Sequence, residues 1–143
     1  MRVDDRFNLQ RFVEAQESGG TYEAAVAELR RGRKTSHWMW FVFPQIAGLG
    51  RSPMARTYAI SSMAEAKAYL QHEVLGPRLV QSASIVASST GVDAEQIFGA
   101  IDAMKLKSSM TLFSRAAQDE PVFRDVLDRF FDGQTDPATE ERL

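Results

Sequence analysis

The chain has 143 residues, of which 44% are hydrophobic and 25% charged, with a formal net charge of −2 and no cysteine. These figures predict one globular domain over 1–143 with a real core, and they exclude a disordered chain, disulfides and thiolate metal sites. MRVDDRFNLQ has no apolar signal-peptide region, and the longest apolar run, 38–44, is far short of a bilayer span, so a cytoplasmic protein without membrane segments is expected.

Residues 7–17 carry Leu9, Phe12, Val13 and Gln16 at helical spacing, with Asp4 or Asp5 to cap the start and Ser18-Gly19-Gly20 to end it. Thr21 is expected to cap the next helix, whose apolar stripe is Tyr22, Ala25, Val26 and Leu29. Arg30 and Arg31 suit the negative end of its dipole, and Gly32 suits the position just past it. WMWFVFP is apolar on every side, so periodicity does not separate helix from strand. Its composition favours a strand, while Ser36 could cap a short buried helix ending before Pro44, and the helical surroundings favour that second reading. Ser52-Pro53 reads as N-cap and first position of a short helix. Ser62-Met63-Ala64-Glu65 reads as a capping box opening a helix with Ala66, Tyr69 and Leu70 inward.

Gly76-Pro77 breaks that pattern, and Pro77 starts a helix with Leu79, Val80, Ala83, Val86 and Ala87 at helical spacing. Asp93 to Gln96 caps a short helix with Ile97 and Phe98 inward. A longer helix follows, with Ile101, Met104, Lys105, Ser108, Leu112 and Ala116 on roughly one face. Pro121 begins another, closed by Gly133, and Asp136-Pro137 begins a last turn. No hairpin signal and no repeat occurs, so the fold class is all-α, a mixed arrangement of roughly six to eight short and medium helices.

Charge is unevenly spread. Residues 30–56 hold six basic side chains and no acid, while the rest of the chain is strongly acidic. This suggests a local anion site; solvated basic helix ends would give the same pattern. The acidity elsewhere argues against nucleic acid as partner. Two histidines and no cysteine leave too few ligands for a transition metal, and no phosphate-binding glycine motif is present, so neither a metal nor a cofactor is expected.

Two constellations remain. In 33–45, Trp38 and Trp40 could stack a base, Gln45 read its edge, and Arg33, Lys34 and His37 hold phosphate. Read structurally, the same aromatics are core, with His37 and Gln45 bonding the indole N–H groups. In 102–111, Asp102, Lys105, Ser108, Ser109 and Thr111 fall at i,i+3 and i,i+4 spacings and make a polar seam on a helix. Asp102 would act as base or orienter, Lys105 would stabilise negative charge, and the hydroxyls would line the pocket. A surface ion pair with hydroxyls bonded back to the helix is the plainer account.

RFVEAQ, ELRRGRKTSHWMWFVFPQIAGLG, YAISSMAEAKAYL, LGPRL, IFGAIDAMKLKSSMTLF and FFDGQTDPATEERL together resemble domain-of-unknown-function family 1810 over essentially the whole chain. The resemblance implies an all-helical fold and no established activity. Some members are labelled calpastatin, although the calpain inhibitors of that name are long, disordered and repeat-bearing. EAKAYLQHEVLGPRL followed by DAMKLKSSMTLF is loosely similar to the NADAR family of ADP-ribose-linked N-glycosidases, in which a lysine-containing helix helps form the pocket. The resulting expectation is a domain that binds, and in one version hydrolyses, a small anionic ligand such as a nucleotide or ADP-ribose. The alternative is a non-enzymatic interaction module with a structural aromatic core.

Overall fold

The computed structural model describes residues 5–143. Among them are ten α-helices, one 3₁₀ turn at Ser18–Gly20, and no strand beyond an isolated parallel bridge between Ile46 and Ile60. Six helices are eight residues or longer: α1 (Gln10–Glu17), α2 (Thr21–Arg30), α5 (Met63–Gln71), α6 (Leu75–Ser88), α8 (Ala100–Ala116) and α9 (Val122–Phe131). The others are single turns: α3 (Met39–Val42), α4 (Pro53–Thr57), α7 (Ala94–Phe98) and α10 (Pro137–Glu140). No helix among the described residues is long and apolar enough to cross a membrane.

Local chemistry explains most of the boundaries. Asp5 accepts the Leu9 N–H (2.6 Å) and the Gln10 N–H (3.0 Å), so it closes the start of α1; Asp4, the other candidate cap, lies outside the described residues. Ser18 to Gly20 winds as a 3₁₀ turn, which places Gly20 rather than Thr21 at the N-cap of α2. Thr21 is already helical, and its hydroxyl donates back to the Ser18 carbonyl (2.6 Å). At the far end Gly32 takes φ 75°. The Gly32 N–H reaches Leu29 O (3.0 Å) and the Arg33 N–H reaches Glu28 O (3.1 Å), the paired bonds of a Schellman closure. That reversal aims residues 33–38 back across the domain.

Ser52 caps α4 and Asp93 with Gln96 forms a complete capping box on α7, as their spacing predicts. Only half of the box at Ser62 forms. Ser62 accepts the Glu65 N–H (3.2 Å), but Glu65 turns to the Ser61 N–H (2.8 Å) and to Arg11 (2.9 Å). Arg11 in turn donates to the carbonyls of Phe7, Asn8, Thr57 and Ala59, tying the N-terminal segment to the approach to α5. α6 starts two residues before Pro77, because His72 Nδ1 accepts the N–H groups of Val74 (3.1 Å) and Leu75 (3.3 Å). Proline is tolerated in that first turn because its missing N–H would have no intrahelical partner.

α8 is the central helix, packed against α5, α7, α9 and α10, while α6 packs against α2, α3, α5 and α9. The face of α8 expected to carry Ile101, Met104, Lys105, Ser108, Leu112 and Ala116 is only partly buried, through Ser108 and Leu112. Ile101 is 75% exposed and Met104 54%, and the buried apolar residues are Ala103, Leu106, Met110, Leu112 and Phe113. The face is turned because α8 must meet α9 and α5 as well as α10. Phe113 contacts Phe123 of α9 (5.9 Å between rings) and Tyr69 of α5 (5.4 Å). The core is one cluster running from Leu9 to Leu127.

Candidate functional site

The stretch after Gly32 is organised by one carboxylate. Glu28, buried in the last turns of α2, accepts hydrogen bonds from the Thr35 N–H (2.7 Å), the Ser36 N–H (3.0 Å), the Ser36 hydroxyl and the Trp38 indole N–H (2.9 Å). Burial raises its pKa, but these four donors outweigh it and hold the carboxyl at about 2, against an ordinary 4.5. Trp38 is therefore a core residue. It is fully buried, edge-on to Phe98 and tilted against Phe43, and Glu28 rather than His37 or Gln45 satisfies its N–H. This corrects the expectation that Trp38 lines a ligand site. Phe41 and Phe43 are buried, in agreement with a core role.

Past this anchor, the two predicted constellations partly meet. The Lys34 N–H donates to Ile97 O of α7 (2.7 Å), and its Nζ lies 2.9 Å from Asp102 Oδ2 on α8. Lys105 Nζ lies 3.3 Å from Asp102 Oδ1 and 4.9 Å above the ring of half-buried Trp40. Two ammonium groups thus share one carboxylate, leaving the cluster with an excess positive charge. Lys34 is nearly buried, its side chain 8% exposed and 5.2 Å from the Trp38 ring, whereas Lys105 and Asp102 stay accessible at 26% and 19%. Arg33 and His37 are exposed beside this junction in sequence. Gln45 is held at its main chain, its oxygen accepting from the Ile60 N–H (2.8 Å) beside the Ile46–Ile60 bridge.

The hydroxyls of α8 do not join the cluster, which corrects their assignment to a ligand site. Ser108 donates to Asp136 (2.8 Å) and to Met104 O (3.1 Å), and Thr111 accepts the Asp136 N–H (2.9 Å) while donating to Lys107 O (2.8 Å). Both are buried and serve to dock α10, whose cap Asp136 also holds Thr139. Ser109 is fully buried, its Oγ without a hydrogen-bond partner among the described residues. Asp136→Ala removes a cap, leaves the buried Thr139 hydroxyl without its acceptor and takes one of two acceptors from Ser108. It is expected to cost about 2 kcal/mol in a urea titration.

Residues 6–143 match a family described as protein of unknown function, DUF1810. The chain belongs to that family. It is similar to a conserved hypothetical protein of Mycobacterium tuberculosis, Rv1873, whose crystal structure it matches with a TM-score of 0.94. The two are 50% identical over 97% of this chain and 98% of the other. No match was found among curated proteins.

Among the described residues no group of three or more His, Asp and Glu side chains is arranged to hold a metal ion. The main feature that sequence reasoning missed is Glu28. It looked like an ordinary polar position in an amphipathic helix. Its signal was indirect, in the acid-free run that follows and in a Ser and a Trp within ten residues that need an acceptor. Asp102 answers the same need from α8, and no local pattern announces that pairing.

Proposed function

We propose that this protein binds a small anionic ligand of the nucleotide or ADP-ribose class where residues 33–40 meet α8. The observation that carries this reading is the convergence of Lys34 and Lys105 on Asp102 beside the half-buried face of Trp40. Asp102 fixes the nearly buried Lys34 and draws the more exposed Lys105 to the same point, and the excess positive charge remains for a ligand. Lys105 is the movable member: leaving the Trp40 ring frees an aromatic face for a base, while its Nζ follows the phosphate. Exposed Arg33 and His37 add charge along the approach. If the bound ligand is hydrolysed here, Asp102 takes the proton of the attacking water and Lys105 stabilises the developing negative charge.

Thermal unfolding against a panel of nucleotides, ADP-ribose and phosphosugars tests this. A ligand at 100 times its Kd adds about 2.7 kcal/mol of stability. Lys105→Ala is expected to weaken such binding at least tenfold with little change in the unliganded melting temperature. No response across the panel, or an unchanged response in Lys105→Ala, would overturn the reading. The second reading, an interaction module, draws on exposed Ile101 and Met104 beside Lys105 on α8 and on the core role of Trp38. It calls for a protein complex that Ile101→Asp abolishes in the absence of any nucleotide response.

A further inference from the structure

On the opposite side of α2 lies a cleft of about 560 Å³, between the α1–α2 turn and the first turns of α6. Its volume falls within the roughly 300–1,000 Å³ of small-molecule sites. Its floor is a hydrogen-bonded chain. Fully buried Gln16 donates to Phe41 O (2.8 Å) and to the Tyr69 hydroxyl (3.3 Å), and its Oε1 accepts from Arg78 (3.2 Å). The Arg78 guanidinium lies 4.8 Å over the ring of Tyr22, and the Tyr22 hydroxyl donates to Arg78 O (3.0 Å) and Gln81 Oε1 (2.5 Å). Burial raises the Tyr22 pKa, so the phenol stays a neutral donor.

Arg78 is held in place but not used up. One N–H bonds the neutral Gln16 amide, and another faces the exposed Glu17 carboxylate at 3.5 Å, which leaves most of its planar fork uncommitted. A guanidinium immobilised by ring stacking loses little freedom when it takes a carboxylate through two parallel bonds. The rim adds exposed Arg30 and Glu23, neither of them in a salt bridge or side-chain hydrogen bond among the described residues. The charged lining is thus balanced: Arg30 and Arg78 against Glu17 and Glu23. Two carboxylates on the rim oppose a polyphosphate and would pair with an ammonium group.

We infer that this cleft is a binding site for a small zwitterion, with its carboxylate on Arg78 and Arg30 and its ammonium toward Glu17 and Glu23. A free amino acid and a short peptide share that chemistry. The site stands apart from the Lys34–Asp102–Lys105 cluster and does not depend on it.

Amide chemical-shift titration with the free amino acids and a set of dipeptides tests the proposal. At least one probe should shift signals of residues 16–30 and 78–82 saturably. Amidating its carboxylate or acetylating its amine should weaken binding at least tenfold. Preference between amino acids and dipeptides identifies the source. Arg78→Lys, which keeps the charge but loses the fork, should weaken binding at least tenfold. Arg30→Ala and Glu23→Gln, on the exposed rim, should each weaken it several-fold without changing the fold, and they carry the test if Arg78→Lys is unstable. Lys105→Ala should leave it unchanged. No shift with any probe, or binding indifferent to removal of either charge, would overturn the proposal.

Discussion

Glu28→Gln is expected to destabilise the protein by about 3 kcal/mol or more in chemical denaturation, a large change for an almost isosteric substitution. The carboxylate faces four donors: two main-chain N–H groups, a hydroxyl and an indole. A carboxylate has lone pairs for all of them. An amide oxygen can keep the three N–H donors, but its NH₂ group then faces the Ser36 hydroxyl, which must turn from donor to acceptor, and the charge-assisted bonds are lost. A pH series separates this from general loosening. A carboxyl held at about 2 in the folded state and 4.5 when unfolded contributes about 3 kcal/mol, fully present above pH 4.5 and lost as pH falls through 2. The wild type should lose that increment between pH 4.5 and 2, and Glu28→Gln should lack it. A variant as stable as wild type at pH 7, with the same acid limb, would show that Glu28 does not organise residues 35–38.

That prediction also explains which parts of the sequence could be read. Helices announced by a cap and a stripe were accessible: Ser52-Pro53, the Asp93 box, and Phe12 with Val13 all depend on neighbours within four residues. Where a side chain answers a distant group, spacing carried no information. Glu28 looks like one more surface acid of α2, and Ser108 and Thr111 look like a polar seam because Asp136, their partner, is more than twenty residues away. α8 failed for a related reason. A helix with neighbours on several sides has no single apolar stripe, so exposed Ile101 and buried Ser109 each contradict the binary pattern. The site had the same mixture. Lys34, Asp102, Lys105 and Trp40 come together across the fold, but Trp38, counted with them on composition, belongs to the core.

Gly76→Ala is expected to be at least as costly, about 3 kcal/mol or more, for a purely steric reason. A Cβ added there would lie 2.1 Å from the Leu70 carbonyl oxygen and 2.9 Å from its carbon. Both are main-chain atoms of α5, so no side chain can swing aside; α5 and α6 must separate. α6 also packs on α2 and α9, and Gly76 is buried, so the shift spreads into the core. Gly91 is the control. It has φ 74° with open space around it, and alanine there meets only the left-handed backbone penalty of about 1 kcal/mol. If the two alanine variants lose similar stability in urea titrations, the close approach of α5 to α6 is not tight. The sequence shows Gly76-Pro77 only as a break. The packing gives the glycine its requirement, and Arg78 stands two residues further on, so a displaced first turn of α6 should also move its guanidinium off the Tyr22 ring. Gly76→Ala, if it still folds, should therefore weaken zwitterion binding in the cleft while leaving the Lys105 site unchanged.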